Sequence, residues 1–585
     1  MSKMSKDVQK QYADKKRGTV VNFMGGESYT LNPLETLRLI ASSSIFGEPS
    51  YYRGDVKDEK YDATISKVIP DNLIDTRYDG KTTTEVFEDA IDAALDFDFE
   101  GTLRLAVTLR SDYFMRLNPQ VIMVRAALHP KRKEFTEKNP GLFREIESVV
   151  MFRADEPATQ ITYYLHLVGD KTKMPSILKR SIADKLSSLT RYEVSKYKNS
   201  EIGMINAVRI SHANSPVLNE LMATGTVQVS DDEETWERLR SNGMDWHTIA
   251  VEYVIKRKQN GQKPLLGHMA LLRNLKNIFL DFKDPDDRQN AVDILQILKN
   301  GVKWGKQFPF RYHSAYKRLM KETIPFKALV LDALEECIDI AIDNMPKLKG
   351  KTICLSDNSG SAWGALTTEY GTELIAEIDN LSSVITAMGS EEGYVGSFGD
   401  RLKMYTISKR NGALTQTKEI NSYRGNDVGK ATEAGIWHFF RDAIRNKTWY
   451  DNIFIYSDMQ AGTGQLYGEN ADLAEYRRFG YAYERTVWGT NPRGTWHKTH
   501  ICGEGHINVY KLIEKYRHDV NPKVNVFCIQ TAGYDNVILP VMTYRCAMLS
   551  GWTGKELQFA NDYIQQWDAI EKEHNAKKIV NNNNT

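Results

Sequence analysis

The sequence has few cysteines and no long apolar segment. Five cysteines among 585 residues are an odd number and lie mostly in apolar runs, which excludes a disulfide scaffold and indicates reduced thiols. No stretch approaches the roughly 18 consecutive apolar residues of a membrane-spanning helix. Residues 1–30 are polar and lack the apolar core of a signal peptide. These absences predict a soluble, unsecreted, cytoplasmic protein.

The chain also has almost no net charge, but its charges are unevenly distributed. It has 77 basic and 76 acidic residues. Residues 170–212 hold nine Lys or Arg against four Asp or Glu, and residues 299–327 hold eight against one. Residues 352–400 hold eight acidic residues and no Lys or Arg. Because charge acts through its location, this reversal indicates a domain boundary between two basic segments and an acidic one.

The hydrophobic pattern changes near residue 345. Residues 31–344 carry apolar residues at helical spacing, interrupted by Pro and Gly, which predicts many medium helices arranged as a helical-hairpin solenoid. After a connector at 345–350, short β-branched runs alternate with helical stretches, which predicts a mostly parallel α/β sheet. The predicted strands are 352–356, 394–398, 402–407, 452–457 and 524–530, and the predicted helices are 428–444, 506–517 and 554–568. The second and third strands are predicted to form a hairpin at one edge.

A motif of oxygen donors ends the first predicted strand of this α/β region. Asp357-x-Ser359-x-Ser361 places a carboxylate and two hydroxyls on one turn, and Asp458 follows a second predicted strand. The carboxyl ends of neighbouring parallel strands face one crevice, and hard oxygen donors are those that Mg²⁺ prefers. The pattern predicts a divalent-cation site. The alternative is that these side chains cap the next helix.

The two basic segments combine cations with aromatic residues. Such a pattern favours single-stranded RNA, because cations neutralise phosphates and aromatic rings stack on unpaired bases. The alternative is a set of solvated helix faces. Arg273 lies among leucines, and we interpret it as one partner of a buried structural ion pair. The candidate RNA-binding cations are Lys179, Arg180, Lys196, Lys198, Arg209, Lys306 and Arg311, interleaved with Tyr192, Tyr197, Trp304, Phe308, Phe310, Tyr312 and Tyr316.

The α/β region, residues 351–568, resembles a von Willebrand factor A domain. Asp357-x-Ser359-x-Ser361 is similar to that family's metal-ion-dependent adhesion site (MIDAS), and its later Asp corresponds to Asp458. Asn426 stands where the family usually has a Thr, and an Asn carbonyl still coordinates a hard cation or a bound water. The resemblance implies Mg²⁺ or a similar cation whose open position takes an acidic group from a partner.

The helical region resembles the TROVE domain (telomerase, Ro and vault). The resemblance rests on residues 264–275, on Lys196-Tyr197-Lys198 followed by residues 209–212, and on residues 306–311 with Tyr316. A TROVE domain followed by an A domain is the order of the Ro autoantigen family. The chain is therefore identified as resembling a bacterial- or phage-type Ro homologue, with a TROVE domain at 31–345 and a tail at 569–585.

This second resemblance implies a HEAT-like helical-repeat ring that holds misfolded RNA ends in its hole and Y RNA on its outer face. It also implies His212 as an RNA contact and an exoribonuclease such as polynucleotide phosphorylase as a partner of bacterial members. The alternative is that His212 only satisfies the hydrogen-bonding groups at the end of a helix. Two departures stand out: Asn199 replaces the family's further Arg after Lys-Tyr-Lys, and residues 468–505 look like an insertion. Its His497-x-x-His500-x-Cys502 pattern, with His506, fits no usual structural-zinc spacing.

The preferred interpretation is a noncatalytic, ring-shaped RNA-binding protein of RNA quality control or stress response. It binds small noncoding or misfolded RNA, with neither DNA nor membrane as a partner. The enzyme alternative is a Mg²⁺-dependent phosphohydrolase that acts on RNA or nucleotides through Asp357 and Asp458. No nucleophile or base is evident beyond the metal ligands, and the chain lacks a phosphate-binding P-loop. An extracellular adhesion module is disfavoured by the missing secretion signal.

Overall fold

The structure is a computed structural model of the 585-residue chain. It describes residues 19–21, 27–29, 32–42, 83–169, 173–199, 202–229, 235–360, 362–363, 365–368, 371–422, 433–457, 475, 485–490, 496–501, 507, 509–531, 542–550 and 555–583. No helix within these residues is both long enough and apolar enough to cross a membrane.

The first two thirds of the described chain are helical apart from a short hairpin of β1 (Thr19–Val21) and β2 (Glu27–Tyr29). A π-helical turn at Val251–Lys256 joins α13 to α14. The helices are α1 (Pro33–Ser42), α2 (Thr83–Phe97), α3 (Phe99–Ser111), α4 (Asn118–Leu128), α5 (Arg132–Lys138), α6 (Leu142–Val150), α7 (Glu156–Val168), α8 (Ser176–Ser187), α9 (Arg191–Tyr197), α10 (Met204–Ser211), α11 (Pro216–Thr224), α12 (Trp236–Ser241), α13 (Trp246–Ala250), α14 (Arg257–Gln259), α15 (His268–Asp281), α16 (Arg288–Gly305), α17 (Pro309–Met320) and α18 (Lys327–Ile342).

The helices form where the sequence predicts them, because apolar residues recur at helical spacing and polar residues cap the ends. In α2, Ala90, Ile91 and Ala94 are all buried on one face. α9 starts with a capping box, in which the Thr190 hydroxyl accepts from the Glu193 N–H and the Glu193 carboxylate accepts from the Thr190 N–H. Successive helices then pack on one another, as α3 does on α4 and α17 on α18.

Seven of the described strands form one sheet, in the order β12, β13, β11, β8, β3, β6, β7. The five central strands are parallel, and β7 and β12 run antiparallel at the two edges. The strands are β3 (Leu348–Asp357), β4 (Ala365–Thr368), β5 (Gly371–Leu374), β6 (Ser390–Phe398), β7 (Leu402–Thr406), β8 (Asn452–Ser457), β9 (Arg485–Thr490), β10 (Trp496–Ile501), β11 (Asn525–Gln530), β12 (Met542–Thr543) and β13 (Cys546–Ser550). The helices of this region are α19 (Ile375–Met388), α20 (Ala413–Ser422), α21 (Glu433–Arg445), α22 (Val509–Asp519) and α23 (Lys555–Asn583).

The five predicted strands are all present, and the predicted hairpin is β6 with β7. Three features differ from the sequence-based predictions. A second antiparallel edge strand, β12, lies beyond β13, and β9 and β10 pair as a hairpin within the predicted insertion. The last helix continues to Asn583. Glu571 within it is buried against Arg545, with their Oε1 and Nε 3.0 Å apart.

The α/β region contacts both ends of the helical array. At the C-terminal end, Lys317 of α17 pairs with Glu377 of α19 at 2.9 Å. At the N-terminal end, the Tyr113 hydroxyl donates to the Asp562 carboxylate of α23 at 2.9 Å. The two ends also meet directly, since the rings of Phe114 and Phe308 lie 6.1 Å apart. The helical array therefore returns on itself with the sheet domain at the junction.

Candidate functional sites

The predicted metal site lies at the carboxyl ends of β3 and β8. These strands are parallel neighbours, with Ser356 opposite Tyr456. Asp357 is fully buried; its Oδ2 accepts from the Ser457 hydroxyl at 2.6 Å and its Oδ1 from the Ser359 N–H at 2.9 Å. The sheet register thus brings the ends of two strands 100 residues apart into contact, as the parallel arrangement predicts.

Two of the five predicted metal ligands, Asp357 and Ser359, are described, and both are fully buried. The other predicted ligands, Ser361, Asn426 and Asp458, lie outside the described residues. Ser457 was missed by the sequence analysis. Its position just before Asp458, on a strand that pairs with β3, is the signal that would have found it.

The alternative role of this motif, capping the next helix, is wrong. The chain after Ser359 passes into the β4–β5 hairpin before α19 begins at Ile375. The residue at the N-cap of α19 is Leu374, and no side chain caps that end. Asp357 and Ser359 therefore lie at and just after the carboxyl end of β3 without capping α19, and their oxygen donors are of the type that a hard cation takes.

No group of three or more His, Cys, Asp or Glu side chains suited to a metal occurs among the described residues. The described part of the strand-end site contributes the Asp357 carboxylate and the hydroxyls of Ser359 and Ser457. In the insertion, the backbone of His497 and His500 lies on β10, whereas Cys502 and His506 are outside the described residues.

The first basic segment lies on α8, α9 and α10. Arg180, Arg209 and His212 are exposed, and α8 packs against α10. The Lys198 carbonyl accepts from the Met204 N–H at 2.9 Å, which ties the end of α9 to the start of α10. The half-buried cations of this region are Lys179, Lys196 and Lys198. We call these six residues, on α8 to α10 and their ends, the cationic surface.

Lys196 lies beside two tyrosine rings. Its Nζ is 5.6 Å from the Tyr192 ring centroid and 5.9 Å from that of Tyr197. Lys263 approaches Tyr192 at 5.9 Å, and the Arg153 guanidinium approaches Tyr197 at 5.9 Å. Burial lowers the pKa of Lys196, but Tyr192 and Glu237 outweigh it and the pKa is raised, so this ammonium stays charged. The sequence analysis missed Arg153 and Lys263, which join this cluster from other parts of the chain.

The second basic segment is only partly available to a ligand. Tyr312 is fully buried, with its hydroxyl 2.6 Å from His268 Nε2, and Phe310 and Tyr316 are also buried. The prediction that these three rings stack on bases is therefore wrong. Trp304 is 87% exposed and keeps a free ring. Lys306 and Arg311 are exposed near it in the chain.

Two remaining single-residue interpretations are resolved. Arg273 is exposed, so it is not the buried structural ion pair that its leucine neighbours suggested. His212 does end a helix, but through its backbone: its N–H donates to the Val208 carbonyl at 2.8 Å, and its φ is 62°. The imidazole is exposed, so helix termination does not occupy the side chain.

Comparison with known proteins identifies the fold. No protein-family model matches the sequence, and no curated protein matches it. Among solved structures, the Ro (RSR) protein of Deinococcus radiodurans superposes with a TM-score of 0.52 at 13% sequence identity. The match covers 81% of this chain and 94% of that one. The predicted fold class, a helical-repeat ring followed by a mostly parallel, von Willebrand factor A-like α/β domain, is confirmed, and the chain has the fold of a bacterial Ro protein.

Proposed function

We propose that this protein is a Ro-type, noncatalytic RNA-binding protein. It binds single-stranded ends of small noncoding or misfolded RNA, and Y-like RNA, in cytoplasmic RNA quality control or stress response. The observation that carries this proposal is the cationic surface on α8 to α10, which lies within a helical array of the Ro fold. Phosphate groups are the ligands that such a surface attracts without sequence preference.

The composition of the cationic surface favours RNA over an acidic protein. Lys179, Arg180 and Arg209 supply charge, and the exposed His212 imidazole offers a flat ring and ring nitrogens. On the second segment, Trp304 provides an accessible ring for stacking beside Lys306. Single-stranded RNA exposes both phosphates and unstacked bases, so it matches both kinds of group.

The strand-end site is proposed to bind one Mg²⁺-like ion and to recruit a partner. Asp357, Ser359, Ser361 and Asp458 are its proposed ligands, and Asn426 contributes directly or through water. The buried carboxylate and its hydroxyl neighbours support this assignment. When bound, the ion supplies an open position for an acidic side chain. An exoribonuclease such as polynucleotide phosphorylase is the proposed partner.

One experiment separates this proposal from the phosphohydrolase alternative. Labelled single-stranded RNA is incubated with the protein and millimolar Mg²⁺, and both retention and RNA length are measured. Retention of intact RNA supports binding, whereas shortened RNA supports hydrolysis through the strand-end site. Absence of both outcomes contradicts the proposed function.

The metal site is tested with Asp357→Asn, which is nearly isosteric. Its amide oxygen still accepts from the Ser359 N–H, and its amide N–H can donate to the Ser457 hydroxyl oxygen. We expect it to abolish Mg²⁺ binding measured by calorimetry, because the carboxylate supplies the charge. RNA affinity should change by less than about twofold, since the cationic surface lies on other helices. A folded Asp357→Asn protein that has lost RNA binding contradicts the separation of the two sites.

A further inference from the structure

The loop that carries Asp357 is held from behind by buried amides. Asn358 and Asn380 are both fully buried and exchange two hydrogen bonds, of 2.8 and 3.0 Å. Asn380 Oδ1 also accepts from the Ser356 hydroxyl at 2.6 Å, and its Nδ2 donates to Asn421 Oδ1 at 2.7 Å. One side chain of α19 therefore contacts both β3 and the end of α20.

Asn358 is fixed through its backbone as well. Its N–H donates to the Phe398 carbonyl of β6 at 2.8 Å, and its carbonyl accepts from the Trp363 indole at 3.2 Å. Asn358 lies between Asp357 and Ser359, so holding it determines where both neighbours point. Buried amides are costly unless they are paired, and their presence here in place of apolar residues points to a positioning role.

The other end of α20 is attached to the helical region. The Ala413 N–H at its start donates to Asp339 Oδ1 of α18 at 2.8 Å, and the Thr415 hydroxyl donates to Glu335 of the same helix at 2.9 Å. One turn further, the Lys418 ammonium donates to the Tyr316 hydroxyl of α17 at 3.2 Å. α20 thus runs from a contact with the helical array to the buried amides of Asn358 and Asn380, behind the loop that carries Asp357.

We propose that Asn358, Asn380 and Asn421 form a positioning cluster for the metal ligands, and that α20 makes cation affinity depend on the contact with α17 and α18. The inference rests on the proposed metal site and deepens it. None of the three amides is a proposed ligand, and they act by orienting the loop. Partners of metal ligands commonly alter metal affinity by 10- to 100-fold when removed.

The test uses Asn421→Ala in the full-length chain, with Mn²⁺ as the probe and its binding followed by electron paramagnetic resonance. Asn421 is half-buried and donates nothing to Asp357, so the donor set stays intact. We expect Mn²⁺ affinity to fall by about tenfold, with an altered Mn²⁺ spectrum, while RNA affinity is unchanged. Asp339→Ala removes the α18 acceptor for the N–H at the start of α20. It should also lower Mn²⁺ affinity, but by a smaller factor.

Thr417→Val is the matched control, because it removes a side-chain hydrogen bond to the Ala413 carbonyl within the same helix and leaves the cluster alone. We expect it to lower the melting temperature but to leave Mn²⁺ affinity at the wild-type value. Wild-type affinity in Asn421→Ala, or an equal loss in Thr417→Val, overturns the positioning role. A wild-type protein that binds RNA but no Mn²⁺ overturns the metal site and this inference with it, while leaving RNA binding intact.

Discussion

Lys196, a proposed RNA contact, also has a structural role, because its ammonium lies against the Tyr192 and Tyr197 rings. We predict that Lys196→Ala lowers the free energy of unfolding by about 1 kcal/mol, the value of a half-buried cation–π contact. Lys198→Ala, which loses no such contact in the described structure, should change it by less than about 0.5 kcal/mol. Urea denaturation measures both variants.

The same two variants should weaken RNA binding alike. Each removes one phosphate contact, which lowers the slope of log affinity against log salt by about 0.7 for a single strand. Fluorescence anisotropy at several salt concentrations gives this slope. Equal stability of the two variants would contradict the structural role of Lys196, and unchanged slopes would contradict its role in binding.

Glu147 on α6 is a buried carboxyl whose ionisation opposes folding. Burial raises its pKa to about 8; Gln160 opposes this and Glu156 adds to it. The folded state keeps the proton up to about pH 8, whereas the unfolded chain loses it near its usual pKa of 4.5. Since the unfolded state then binds fewer protons, stability falls as pH rises from about 5 to 8.

Glu147→Gln removes this ionisable group. We predict that the variant is more stable than the wild type by more than about 1 kcal/mol at pH 9 and about equal to it at pH 4.5. Urea denaturation at the two pH values makes the comparison. A variant that is equally destabilised at both would mean that the carboxyl makes an interaction that the amide cannot replace.

At the scale of elements, the backbone of His212 ends α10, whereas its imidazole is a proposed RNA contact. His212 has a φ of 62°, which glycine adopts at no steric cost. His212→Gly should therefore keep or raise the melting temperature, while RNA affinity falls about tenfold through loss of the imidazole. His212→Asn, which tolerates the same backbone, is the control that retains a polar side chain. If His212→Gly binds RNA like the wild type, the residue only terminates the helix.

The elements themselves were largely predictable, since period and β-branching are local signals. β8 spans the predicted residues 452–457 without change. Which rings of the second basic segment are exposed enough to stack on bases was not predicted correctly. Tyr312, Tyr316 and Leu319 recur at the spacing of one buried helix face. That periodicity was the signal that would have assigned these residues to the core.

The candidate sites were predictable only in part. The meeting of β3 and β8 follows from the parallel-sheet rule, which led to Asp357 and its neighbour strand. The amide cluster was not predictable, because Asn358, Asn380 and Asn421 come from three separate elements and a lone Asn resembles any turn residue. Arg153 and Lys263 were missed for the same reason: only the fold brings them to Tyr197 and Tyr192.

At the scale of the molecule, the cationic surface and the strand-end site belong to different domains that contact each other. The helical array returns on itself at Phe114 and Phe308, and α23 reaches back to Tyr113. The array carries the cationic surface, and the sheet domain at its junction carries the strand-end site. The proposed RNA and partner sites therefore lie on different domains.

The proposed function depends on the claim that the cationic surface holds RNA by its phosphates. The most direct test measures the affinity of the wild-type protein for a labelled single-stranded RNA between about 50 and 200 mM salt. With about six phosphates neutralised, log affinity should fall with a slope of about −4, a loss of two to three orders of magnitude over that range. Replacing Lys179, Arg180 and Arg209 together by Ala should reduce the slope to about −2. An affinity that stays constant across the salt range, or a slope unaffected by the triple substitution, would contradict the claim.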